Sequence, residues 1–240
     1  MATSPVRDFL VSYLMPEKCF DEIFVNFHLH VPCLRFLLNK ASGFAIVLDM
    51  LMALAAQLLK MLCRGSADGL SLPSALLQLY SFSCPVIYAM ANNLPLFAWA
   101  DRLFTLAQTA AIVFLILHYR AHTLTGVLFL LAYSAVTVLL GSYGATAVIT
   151  VIQASQLAAL IPSKVLQAGT NYFNGHTGQL STLSVLLTWA GSYGFVWISL
   201  QETGTSLATL SHIVSACLSS VLLIQVLCYR SSTGAKEKKE

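Results

Sequence analysis

The chain has 240 residues, 57% of them hydrophobic and 10% charged, with a formal net charge of +3 and a mean hydropathy of +0.75. Soluble domains carry about 25% charged residues, so this composition excludes a soluble globular domain, a disordered chain and a collagen-like one. It leaves an all-α, polytopic membrane protein.

Residues 1–40 hold Arg7, Asp8, Glu17, Lys18, Asp21, Glu22, Arg35 and Lys40. Pro16 and the acids interrupt any apolar run, so this is no signal peptide. Residues 22–38 mix aromatic and polar side chains, which predicts an interfacial segment broken near Pro32. Cys19 and Cys33 can pair if this segment is lumenal. The other four cysteines, Cys63, Cys84, Cys217 and Cys228, lie in or at the ends of apolar stretches, where cysteine acts as a small hydrophobe. Cys228, beside the membrane, is either a palmitoylation site or inert.

Seven spans follow by hydropathy, at 41–63, 72–91, 95–118, 124–142, 145–162, 180–200 and 207–229. The charge gaps make them concrete. No Asp, Glu, Lys or Arg lies among the 43 residues between Arg120 and Lys164, the 37 between Lys164 and Glu202, or the 27 between Glu202 and Arg230. A helix crosses a bilayer with about 20 residues. Ser71 with Pro73 is a start signal for the second span. Pro85 inside that span predicts a kink. Pro95 opens the third span, and Gly141 to Gly144 predicts a tight turn before the fifth.

Orientation follows from basic residues in short loops. With the C-terminus cytoplasmic, the inner set is Lys60, Arg64, Arg120, Lys164, Arg230, Lys236, Lys238 and Lys239, against Arg102 alone on the other side beyond residue 40. Eight against one predicts a cytoplasmic tail, and seven spans then put the N-terminus in the lumen or outside.

The chain also repeats itself. At an offset of 110 positions Gln57 pairs with Gln167, Gly65 with Gly175, Leu70 with Leu180 and Ser71 with Ser181. In each copy a span bearing Gln is followed by a polar loop with Gly and a Leu-Ser that opens the next span. The polar matches carry the information in so apolar a chain. Four spans fit in the offset, so the copies run parallel in a 3+1+3 arrangement, related by an axis along the membrane normal. The expected organisation is an N-terminal lumenal or interfacial segment (1–40), a first triple-helix repeat (41–118), a linker helix (119–144), a second repeat (145–229) and a cytoplasmic tail (230–240).

Asp49, Gln57 and Lys60 lie within about 80° of one another on an ideal helix, as do Gln153, Gln156 and Lys164. Polar stripes in membrane helices face the bundle interior, to line a path or to join helices by hydrogen bonds. Asp49, mid-span, is either a proton-coupling carboxyl or a partner to a neighbouring helix. Asn171, Asn174, His176 and Gln179 are candidate ligand contacts, with turn formation the competing role. Lys164 either offsets a ligand's negative charge or anchors the cytoplasmic side. Catalysis is not expected: His28, His30, His118, His122 and His212 are scattered, no cofactor motif or metal spacing occurs, and no nucleophile sits with a base. Nothing points to nucleic acid.

Two stretches carry a family resemblance. Gln57 with Ser66-Ala67-Asp68-Gly69-Leu70-Ser71, and Gln167 with Asn171-Tyr172-Phe173-Asn174-Gly175-His176-Thr177-Gly178-Gln179-Leu180-Ser181, resemble the two repeats of PQ-loop membrane proteins. The likeness is to their mannose-P-dolichol utilisation defect branch. Leu14 to Cys19, His30 to Leu34, Asn92 to Pro95, His118 to Arg120 and Gln201 to Gly204 extend it over residues 14–230. The sequence departs from the family name, since Ala56 and Leu166 precede the two glutamines; Pro162 is the nearest proline to the second. Asp49 also stands where a small or apolar residue is expected.

The resemblance implies a multi-pass endoplasmic reticulum protein required for use of dolichol-phosphate-mannose and dolichol-phosphate-glucose. Those donors feed lipid-linked oligosaccharide, glycosylphosphatidylinositol and protein-mannosylation pathways. It implies membrane lipids, dolichol-phosphate sugars and lumenal mannosyl- or glucosyltransferases as partners. Other PQ-loop proteins carry sugars or amino acids, so a small-solute transporter, proton-coupled through Asp49, is the alternative. Lys236 and Lys238, at positions −5 and −3, resemble a Lys-x-Lys-x-x retrieval signal, legible on a cytoplasmic tail.

Overall fold

The computed structural model describes residues 16–25, 31–202 and 204–237; the side chains of 23, 24 and 230–237 are left aside. Among the described residues all regular structure is helical, joined by short loops and without strands. A short helix, α1 (Glu17–Phe20), precedes a π-helical turn at Asp21–Val25. The remaining helices are α2 (Val31–Leu48), α3 (Leu54–Arg64), α4 (Leu72–Ala91), α5 (Ala100–Tyr119), α6 (Thr123–Tyr143), α7 (Thr146–Ala154), α8 (Gln156–Asn174), α9 (Thr182–Glu202) and α10 (Leu207–Glu237). A second π-helical turn, Asp49–Ala53, joins α2 to α3, and Ser155 separates α7 from α8. Seven helical stretches are therefore long and apolar enough to cross a membrane: Val31–Arg64, Leu72–Ala91, Ala100–Tyr119, Thr123–Tyr143, Thr146–Asn174, Thr182–Glu202 and Leu207–Tyr229.

The first and fifth spans are longer than hydropathy predicts, for a definite reason. Arg35, Asn39 and Lys40 end a hydropathy window without ending a helix. Arg35 reaches Gln201, and Asn39 accepts from Trp197 Nε1 at 2.7 Å. The start of the first span is thus tied to the end of the sixth. Pro32 sits in the first turn of α2, where no N–H is required, and does not break a helix. Lys164 likewise lies inside the fifth span and not in a loop. The expected turn at Gly141 to Gly144 also shifts: α6 runs through Tyr143, and the chain turns at Gly144 and Ala145. Pro95 caps a 3-10 turn at Leu96–Ala98 before α5 starts. Pro85 lies inside a continuous α4.

Six spans form a closed ring. The first packs on the sixth and third, the third on the second, the second on the fifth, the fifth on the seventh, and the seventh on the sixth. The fourth span lies outside, against the second and third. Tyr133 anchors it there by donating to Ser83 Oγ at 2.9 Å. Small residues let the first and sixth spans approach closely. A Cβ on Gly194 would stand 2.9 Å from the Ser42 carbonyl oxygen, and one on Gly191 would stand 2.6 Å from Asp49 Cβ.

The irregular turns are stitched from neighbouring helices, as buried backbone requires. Opening a π turn misaligns carbonyls of the helical ladder. Gln108 Nε2 on α5 reaches the Leu51 carbonyl at 3.4 Å, and Thr105 Oγ1, whose proton goes chiefly to the Asp101 carbonyl at 2.8 Å, lies 3.4 Å from the Met50 carbonyl. At the Ser155 break, Tyr80 OH pairs with Ser155 Oγ at 2.7 Å, and Ser81 Oγ donates to the Gln156 carbonyl at 3.0 Å. The equivalent of Pro162, 110 positions earlier, is Met52, within the π turn. Both repeats therefore disturb the ladder at the same level, one by proline and one by a π turn.

Candidate ligand cavity within the ring

Two cavities lie inside the ring, and each is lined by all six ring spans. The larger, about 310 Å³, is bounded by Asp49, Met50, Leu54, Gln78, Phe82, Pro85, Arg102, Thr105, Gln156, Leu157, Leu160, Lys164, Thr188, Ser192, Phe195, His212 and Ser215. The smaller, about 100 Å³, lies toward the end where Lys60, Arg64 and Arg120 cluster, and includes Gln57, Ser71, Ser74, Ser163 and Gln167. The two share Leu54, Gln78, Lys164 and Thr188.

The 110-residue offset governs these walls. Met50 and Leu160, Gln78 and Thr188, Phe82 and Ser192, Pro85 and Phe195, Arg102 and His212, and Thr105 and Ser215 are repeat-related pairs on opposite sides of the larger cavity. The ring has the pseudo-two-fold relation that the sequence repeat implies.

Lys164 is the central cation. It sits about ten residues from the C-terminal end of α8, or about 15 Å along the helix, half the thickness of a bilayer core. Its side chain is 7% exposed. Nζ donates to Ser219 Oγ at 2.6 Å, Ser215 Oγ at 2.8 Å, Ser192 Oγ at 3.2 Å and the Ser215 carbonyl at 3.2 Å. No carboxylate among the described residues lies within ion-pair distance; the pair Arg102–Asp101 is elsewhere, at 3.1 Å. Hydroxyls solvate the ammonium without cancelling its charge. Such a group in a membrane interior is costly and normally serves a function.

Asp49 faces the same cavity from the first span. Thr188 Oγ1 donates to its Oδ1 at 2.9 Å. Arg102 and His212 also border the cavity, and His212 stacks on Phe195 with ring centroids 5.8 Å apart.

Gln57 and Gln167 perform a different task. Gln57 Nε2 donates to the Gln179 carbonyl at 3.1 Å, and its Oε1 accepts from Ser181 N at 2.7 Å. Gln167 Nε2 donates to the Gly69 carbonyl at 3.0 Å, and its Oε1 accepts from Ser71 N at 3.0 Å. Each glutamine closes the loop of the other repeat, on strictly equivalent backbone atoms. The loops also touch directly: Gln179 N donates to the Asp68 carbonyl at 2.8 Å. Lys60 donates to the Leu180 carbonyl and Arg120 to the Leu70 carbonyl, at 2.7 and 2.8 Å. The ring is sealed at this basic end.

The other sequence candidates separate. Asn171 is fully buried in a side-chain chain in which Gln167 donates to it at 2.9 Å and it donates to Gln225 at 3.1 Å. Asn174 and His176 are exposed around the end of α8 and its loop, away from the cavities. Gln179 takes part through its backbone. Gln156 and Lys164 line the larger cavity but Gln153 does not, because the break at Ser155 rotates the two halves of the span; Gln153 Oε1 is buried without a partner among the described residues. Lys238 lies outside the described residues, and of Lys236 only the helical backbone is described. Cys19 and Cys33 form a disulfide. Sequence reasoning did not single out Ser192, Ser215, Ser219, Thr188 or Gln78, and it read Arg102 as an interfacial partner of Asp101, a pair the structure contains. The offset could have found the pair Thr105 and Ser215.

Among the described residues no group of three or more His, Cys, Asp or Glu side chains could hold a metal ion. No family model matches the chain, and no solved structure matches it either.

Proposed function

We propose that this protein is a non-enzymatic member of the PQ-loop class that acts in the endoplasmic reticulum membrane. In this reading it receives the head group of dolichol-phosphate-mannose or dolichol-phosphate-glucose and supports its use by lumenal transferases. Lipid-linked oligosaccharide, glycosylphosphatidylinositol and protein-mannosylation pathways would draw on it.

One observation carries the reading. The Lys164 ammonium, held by hydroxyls with no carboxylate in direct contact, stands well inside the fifth span on the cavity wall, where a phosphodiester could pair with it. The cavity lies near the lower end of the range of about 300–1,000 Å³ found for small-molecule sites. It suits a compact head group whose isoprenoid tail stays in lipid. Phe82, Phe195 and His212 offer apolar faces beside hydroxyl and amide groups, the mixture that sugars require.

The orientation is supported from both ends. Removing Lys164 from the loop set leaves seven basic residues against Arg102, still a strong bias for a cytoplasmic tail. The Cys19–Cys33 disulfide is at home on the oxidising, lumenal side. Lys236 and Lys238 would then form a readable retrieval signal.

The test is rescue of cells deficient in dolichol-phosphate-mannose use. Wild-type protein restores full-length lipid-linked oligosaccharide, Lys164→Met does not, and Lys164→Arg retains most rescue. Truncated oligosaccharides persisting beside well-expressed wild-type protein would overturn the reading.

A second reading, a proton-coupled transporter of a small solute, is favoured by Asp49 on the cavity wall. It requires uptake into proteoliposomes driven by a pH gradient and abolished by Asp49→Asn.

A further inference from the structure

The repeat turns the cavity walls into a test of symmetry. Most related pairs keep their chemistry: two hydrogen-bonding groups at Gln78 and Thr188, two hydroxyls at Thr105 and Ser215, two apolar groups at Met50 and Leu160. Charge breaks the symmetry in three places, one of them the pair Arg102 and His212. Lys164 stands opposite Leu54, and Asp49 is related to Ala159. The charges of Lys164 and Asp49 attract each other across the cavity without direct contact, and each has its own hydroxyl partners. A cavity with an ammonium on one wall and a carboxyl on another suits a ligand with two unlike ends.

The carboxyl end is built by three separate features. Asp49 opens the π-helical turn, which alters the direction of its side chain relative to an unbroken helix. Gly191 clears its space, because a Cβ there would stand 2.6 Å from Asp49 Cβ and 2.7 Å from Oδ2. Thr188 holds Oδ1, while Oδ2 has no hydrogen-bond partner among the described residues. The bond from Thr188 joins the first and sixth spans through one oxygen only. The second oxygen is left as an acceptor at the cavity wall.

We infer that Asp49 is a specificity-determining residue of the cavity: its Oδ2 accepts a hydrogen bond from a hydroxyl on the neutral, sugar end of a hexosyl phosphate whose anionic end meets Lys164. The inference rests on the donor-binding reading above and assigns its second half. The phosphate gives affinity for any prenyl phosphate. Asp49 gives the preference for one that carries a sugar.

The experiment uses the full-length purified protein in lipid nanodiscs with three soluble probes of matched phosphodiester charge: citronellyl methyl phosphate as the bare phosphate, citronellyl-phosphate-mannose and citronellyl-phosphoethanolamine. The wild type binds the mannosyl probe about tenfold more tightly than the bare phosphate, the effect of one hydrogen bond to a carboxylate. Asp49→Ala binds both probes with equal affinity, and Gly191→Ala reduces the preference by displacing the carboxyl. Asp49→Asn keeps the side-chain volume and covers the case in which Asp49→Ala does not fold; its preference falls between the two. A mannose preference unchanged in Asp49→Ala or Asp49→Asn overturns the inference. So does a wild type that favours the phosphoethanolamine probe, since Asp49 would then be a counter-ion to a cation. A wild type that binds the mannosyl probe and the bare phosphate equally overturns the inference and leaves the donor-binding reading standing. Binding of no probe overturns both.

Discussion

Gln57 and Gln167 each satisfy one backbone donor and one backbone acceptor of the opposite repeat. Replacing either by alanine strands a buried N–H, at Ser181 or Ser71, and a carbonyl beside it. Each leaves desolvation uncompensated, a cost of about 1–3 kcal/mol. Thermal unfolding in detergent should show similar losses for Gln57→Ala and Gln167→Ala. A loss in one variant alone would contradict the reciprocal arrangement. Glycines test the same contact from the other side. A Cβ on Gly178 would collide with the Asp68 carbonyl oxygen, whereas Gly175 has open space; both have positive φ. Gly178→Ala should therefore lower thermal stability more than Gly175→Ala. At this scale the sequence was legible in part. The offset of 110 located both glutamines, but spacing along one chain cannot tell that each reaches into the other repeat's loop. Asn174 and His176, read as hydrogen-bonding candidates with turn formation the competing role, are exposed around the end of α8 and do not line either cavity.

The elements were legible where hydropathy alone decides and obscured where polar side chains turn inward. The second, third, fourth, sixth and seventh spans lie within a few residues of their expected bounds. The first and fifth run longer because Arg35, Asn39 and Lys164 find partners on neighbouring helices instead of water. The π turn at Asp49–Ala53 and the break at Ser155 have no sequence marker, since neither contains glycine or proline. Their support comes from α5 and α4, elements distant in sequence. Removing that support is a direct check. Thr105→Val with Gln108→Leu removes the donor to the Leu51 carbonyl and the weaker polar contact to the Met50 carbonyl. The double variant should lose about 1–2 kcal/mol and weaken ligand binding by displacing Asp49. Unchanged binding would mean that the turn does not position the carboxyl.

At the largest scale the described residues form a ring of six spans with the fourth span packed outside it, a basic end closed by the repeat loops and an interior that holds Lys164 and Asp49. The pseudo-two-fold arrangement of the ring makes the departures from symmetry informative, because a repeat that only built a scaffold would not place Lys164 and Asp49 on unrelated positions. The disulfide gives a check on topology that is independent of ligand. Four cysteines are free and two are joined. Mass-tagging with a maleimide reagent under denaturing conditions should add two further tags after reduction. A tag fused to the C-terminus should be reached by antibody when the plasma membrane alone is permeabilised. Failure of either result would reverse the assigned sides.

The most direct measurement is crosslinking of full-length dolichol-phosphate-mannose, bearing a photoreactive group on its isoprenoid, to the protein in native-like membranes. The account predicts saturable labelling that dolichol lacking phosphate does not compete for. It predicts that Lys164→Met abolishes the labelling and Lys164→Arg preserves it. Labelling of Lys164→Met equal to wild type, in protein shown to be folded, would contradict it.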